Sequence, residues 1–61
     1  MWSIFLRFIS WCWSVVWRYG PRVVTAVVNW AYNNWRTVYN WIIQGIAFDT
    51  IFRWIRGRLG I

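Results

Sequence analysis

The chain has 61 residues, 61% of them hydrophobic, with seven arginines, one acid and no lysine or histidine, for a formal net charge of +6. Such a length allows one domain at most and buries only roughly 60% of the unfolded surface. A lone cysteine excludes an intramolecular disulfide, and the missing histidine excludes the common zinc sets, so any core must be dense in large side chains, which eight Trp, three Tyr and four Phe can supply.

Met1 to Tyr19 is the most apolar segment. Its polar residues Ser3, Arg7, Ser10, Ser14 and Arg18 recur at spacings of 4, 3, 4 and 4. At about 100° per residue they form one thin stripe, predicting a helix over residues 2–18. A soluble surface helix carries a broader polar face. A membrane-spanning helix needs about 20 apolar residues, and here it would place Arg7 in hydrocarbon at about 2.5–3.5 kcal/mol if central. An interfacial or bundle helix avoids that cost. The basic start and small-residue cleavage site of a signal peptide are missing, so the chain is expected to act as translated.

Tyr19-Gly20-Pro21 ends this helix. Gly20 is expected in the left-handed cap conformation, and Pro21 in the first turn of the next helix. From Pro21 to Gln44 the polar residues Arg22, Thr25, Asn29, Asn33, Arg36, Asn40 and Gln44 keep spacings of 3 or 4. That periodicity outweighs the strand character of the β-branched run VVTAVV. Helices are predicted over 21–33 and 35–44, parted at Asn33-Asn34, whose side chains compete for backbone bonds. One kinked helix is the alternative. Gly45 breaks the pattern again, and a last helix is predicted over 47–59. Its polar face is Asp49, Thr50, Arg53 and Arg56, and its apolar face is Phe48, Ile51, Phe52, Trp54, Ile55 and Leu59. Asp49 near its start and Arg56 and Arg58 near its end suit the helix dipole. Gly57 and Gly60 are expected to fray the end.

Enzyme chemistry has almost nothing to work with. One acid and a lone cysteine without histidine make neither a carboxylate pair nor a base-assisted nucleophile, so no enzyme, cofactor or small-molecule substrate is expected. Cys12 between Trp11 and Trp13 reads as a small buried hydrophobe, and Asp49 as a helix-start and pairing residue. The functional candidates are Arg7, Arg18, Arg22, Arg36, Arg53, Arg56 and Arg58. A guanidinium pairs bidentately with phosphate, and each is worth on the order of 1 kcal/mol near an anionic surface. The plainer reading is a solvated face that keeps an apolar protein dispersed. Among the aromatics, Trp30 and Trp41 are assigned to the core with Val27, Phe52 and Ile55. Trp2, Trp35 and Trp54 are assigned to the membrane interface, where indoles concentrate. Nucleic-acid binders gather stacking aromatics and cations on a polar surface. Here the aromatics lie on apolar faces, so an anionic bilayer is the expected partner and nucleic acid is not.

Several features in order resemble the aureocin/lacticin Q type of leaderless bacteriocin. Tyr19-Gly20 precedes a Val/Ala-rich basic helix. Trp30-Ala31-Tyr32, Asn34, Val38 and Trp41 match that family's Trp-Ala-aromatic, Asn, aliphatic and Trp positions. Gly45, Ala47 and Asp49 match its Gly-x-Ala…acid element, and Leu59-Gly60-Ile61 resembles its ending. The resemblance covers Trp30 to Ile61, about half of the chain. It implies an all-α, compact bundle of four short amphipathic helices in a saposin-like arrangement, forming a single antimicrobial domain without a disulfide. It also implies a secreted, cationic protein that permeabilises the membranes of Gram-positive bacteria by forming pores, without a protein receptor, and is compatible with a monomer in solution. The family is rich in lysine, whereas every cation here is arginine, and the N-terminal segment is longer and more apolar. The alternative is a small integral membrane protein of holin or lysis type, with Met1–Tyr19 and Val23–Ile43 as spans.

Overall fold

The computed structural model describes residues 2–61, with side chains from Ser3 onward. Trp2, assigned above to the membrane interface, therefore lies outside the described side chains. Five helices follow one another: α1 (Trp2–Ser14), α2 (Val16–Tyr19), α3 (Pro21–Asn33), α4 (Trp35–Ile43) and α5 (Phe48–Leu59). The expected count of four is thus five, because the helix predicted over 2–18 is broken at Val15.

Two hydrogen bonds mark the break. Ser14 Oγ donates to the Trp11 carbonyl at 2.6 Å, the acceptor that the Val15 N–H would use in a regular helix. Val15 N–H turns instead to the Cys12 carbonyl at 3.3 Å. Its backbone sits at φ −101°, ψ 13°, the sparsely populated bridge between helix and strand. One turn of helix then resumes as α2.

Gly20 ends α2 at φ 87°, ψ 153°. Its φ is positive as expected, but the extended ψ departs from the left-handed cap and belongs to a region essentially confined to glycine. Pro21 opens α3 at its first turn. Asn34, at φ −128° and ψ 40°, separates α3 from α4, so two helices form here rather than one kinked helix. Its Nδ2 and its backbone N–H both donate to the Trp30 carbonyl, at 3.0 and 2.9 Å. After α4, Gly45 N–H donates to Ile42 and Ile46 N–H to Trp41. With Gly45 at φ 87°, these bonds form a Schellman ending that satisfies the last carbonyls. Gly57 does not fray α5 as expected; the helix runs through it to Leu59.

The buried set follows the helical period. Val24, Val27, Val28 and Ala31 of α3 face Phe5, Phe8, Ile9 and Cys12 of α1, and Val38 of α4 and Ile51, Phe52 and Ile55 of α5 close the core. The α3 stripe Arg22, Thr25, Asn29 and Asn33 lies outside, exposed. Helix α3 packs against each of the other four helices, as does α1, whereas α2 buries no residue and reaches α5 only through the Tyr19 side chain. The Cα radius of gyration is 10.4 Å, against about 10.5 Å for a globular chain of this length. Among the described residues no polar side chain is buried. No helix among them is long and apolar enough to cross a membrane, which counts against the two-span alternative.

Candidate membrane-facing surface

Six of the seven arginines are exposed, and Arg56 is partly covered. Several do not simply extend into solvent. Arg58 lies over the rings of both Trp30 and Trp41, 5.6 and 5.5 Å from their centroids. Those two indoles stack at 6.2 Å with planes 10° apart, and Trp54 meets Trp41 edge-on at 5.2 Å. A strip of three indoles and one cation therefore ties α3, α4 and α5 together. Cation–π contacts of this kind are worth about 0.5–1 kcal/mol when exposed. They also hold the charge at the depth of the rings.

A second cluster forms around Tyr19. Its ring packs on Phe52 at 4.6 Å and carries both Arg18 and Arg56, at 5.9 and 5.2 Å. Arg56 Nε is buried there without a hydrogen-bond partner. Arg36 lies 5.5 Å from the Trp35 ring. Against these cations stands one acid. Asp49 sits in the first turn of α5, accepts a bond from the Thr50 N–H at 3.0 Å, and pairs with Arg53 at 3.9 Å.

Val27, Phe52 and Ile55 are fully buried. Trp30 and Trp41, expected in the core, are only partly buried, packed against its edge beneath Arg58. Trp35 is likewise half-buried, and Trp54 is 44% exposed. Among the described side chains the most exposed indole is Trp17, at 94%, which the sequence assigns neither to the core nor to the membrane interface. Trp13 and Leu6 accompany it at 45% and 49%. The signal was present in the spacing, because on a helical wheel Trp17 lies only about 20° from Ser10, at the margin of the polar stripe. Tyr19 too was read as no more than a helix end.

Cys12 is fully buried, and desolvation pushes its thiol up from 9.0 to about 12, so it stays neutral and unreactive at ordinary pH. Among the described residues no group of His, Cys, Asp or Glu could hold a metal ion. The surface offers cations and rings rather than reactive groups. No family model, curated protein or solved structure matches the chain.

Proposed function

We propose that this chain is a secreted cationic antimicrobial protein that adsorbs to the anionic membranes of target bacteria without a protein receptor and permeabilises them. The observation that carries the reading is the laying of guanidiniums over partly exposed aromatic rings: Arg58 on Trp30 and Trp41, Arg36 on Trp35, and Arg18 and Arg56 on Tyr19. A bilayer interface selects for this pairing, because phosphates and ring-preferring depth coincide there within a few ångströms. A net charge of +6 supplies attraction to anionic lipid in increments of about 1 kcal/mol per engaged arginine. The ordered resemblance to leaderless bacteriocins supports the same reading, and a saposin-like arrangement of the helices belongs to that proposal.

Permeabilisation follows from exchange of contacts. The core is apolar throughout, and no disulfide fixes one helix to another, so apolar faces that meet in the bundle can meet acyl chains instead. Dye release from liposomes at micromolar protein tests the reading. Rapid leakage, faster from phosphatidylglycerol-containing vesicles than from pure phosphatidylcholine, is the expected result. Intact vesicles of both kinds would overturn it.

A further inference from the structure

The outward side of α1 and α2 carries a pattern that the bundle does not use. Within α1, taken at about 100° per residue, Leu6 and Trp13 fall within about 20° of one another, and the exposed Trp17 follows in α2, beyond the break at Val15. Ser3, Ser10 and Ser14 lie beside Leu6 and Trp13 on that wheel, and Arg7 lies about 100° from Leu6. The core-facing Phe5, Phe8, Ile9 and Cys12, all of them buried, centre about 110° from Leu6 on the same wheel, so that the exposed rings begin where the core seam ends. Trp13 and Trp17 make no ring contact among the described residues, in contrast to Trp54, which is held against Trp41. The apolar surface of the two-helix segment therefore runs past the core seam into water, where serines border it and cations follow.

We infer that this solvent-facing apolar patch, led by Trp17, is the surface by which the protein first seats on an anionic bilayer, with Arg18 and Arg7 engaging lipid phosphate beside the inserted indole. The inference rests on the membrane reading above and assigns it an orientation. Three observations select the occupant. Trp17 is 94% exposed, and an indole left this bare is well placed for an interfacial belt, where its ring is half in hydrocarbon and its N–H half in water. Next to it in the chain stands the exposed Arg18, and the exposed Arg7 lies on the outward side of α1, so positive charge accompanies the rings. The chain's one acid, Asp49, lies elsewhere, at the start of α5 and paired with Arg53. A second copy of the chain would bring these cations against like charge, and three side chains fall far short of the roughly 20–30 residues a side of a stable protein interface. An anionic lipid surface meets both the cations and the rings.

The test uses full-length protein labelled with 5-fluorotryptophan, followed by fluorine NMR on phosphatidylglycerol bicelles containing a lipid with a spin label near the headgroup. Resonances are assigned by single Trp→Phe variants. The expected result is that the Trp17 and Trp13 lines broaden first and most, ahead of Trp54, Trp30 and Trp41. In parallel, Trp17→Ala should weaken partitioning onto phosphatidylglycerol vesicles by about tenfold, the equivalent of one partly inserted ring, while Trp54→Ala changes it less than about twofold. Trp17 contributes nothing to the core, so both circular dichroism and the unfolding midpoint of Trp17→Ala should match the parent.

If the Trp54 line broadens first, or Trp17→Ala binds as the parent does, the orientation is wrong while the membrane reading stands. If the parent protein adsorbs to no vesicle, both fall. Sedimentation showing a dimer that Trp17→Ala dissociates would assign the face to a second copy instead.

Discussion

Cys12 sits where α1 meets the core, fully buried, and its thiol is held neutral up to about 12 rather than the ordinary 9.0. The cause is loss of hydration, which penalises thiolate and leaves the thiol untouched. The sign of the stability effect follows. Between pH 9 and 12 the unfolded chain releases this proton while the native chain keeps it, so the unfolded state binds fewer protons and stability falls as pH rises. Below pH 9 both states hold the proton and the effect vanishes. At pH 10.5 the loss should be about 2 kcal/mol relative to pH 8, a large part of the few kcal/mol available to a chain of this size. Cys12→Ala leaves a void worth about 1 kcal/mol at any pH but removes the dependence. Urea unfolding of both proteins at pH 8 and 10.5 checks this, since other titrating groups are common to the pair. The gap between them should narrow or reverse at the higher pH; a constant gap would mean that the thiol is solvated.

At the scale of elements, the break at Val15 separates a 13-residue helix from a single turn. It coincides with the Ser14 hydroxyl bonding the Trp11 carbonyl. Ser14→Ala frees that acceptor, and Ala is the better helix former by about 0.5 kcal/mol. The variant should therefore join α1 to α2, with the Val15 amide exchanging more slowly and helicity rising by circular dichroism. An unchanged Val15 exchange rate would show that packing against α3, rather than the hydroxyl, imposes the turn. This break is also where the sequence was least legible. Ser14 fitted the polar stripe by spacing, and spacing is silent on whether a hydroxyl points to solvent or back to its own helix. The α3 and α4 helices were easier to read, because their stripe and the Asn34 interruption are properties of residue order alone. Gly57 shows the opposite error: a glycine lowers helix propensity, but Ile55 in the core and Leu59 against it anchor the turns on either side and carry the helix through. For the site, the arginines were legible by residue type and the indoles by number. Which indole stands out depends on which side of α1 the bundle covers, and so Trp17 was passed over.

The whole molecule carries six positive charges in excess within 28 × 21 × 19 Å. Folding therefore gathers like charges, whereas adsorption to an anionic surface brings opposite charges together, and salt acts on the two with opposite signs. The screening length shrinks from about 10 Å at 0.1 M to about 3 Å at 1 M. Across that range the self-repulsion of the native state weakens. Little attractive electrostatics is lost in exchange, because the Arg53–Asp49 pair at 3.9 Å has both side chains more than half exposed and such pairs contribute at most about 1 kcal/mol. The thermal midpoint should hold or rise slightly with sodium chloride. Partitioning onto phosphatidylglycerol vesicles should fall by at least tenfold over the same range, as the contribution of each arginine near the surface is screened, leaving the portion owed to inserted rings. That remainder should equal the affinity for neutral phosphatidylcholine, which salt hardly changes. Scanning fluorimetry and vesicle co-sedimentation at 0.1 and 1 M salt decide the point. Binding to anionic vesicles that resists 1 M salt would make the arginines a solvating coat and leave adsorption to the aromatic side chains alone.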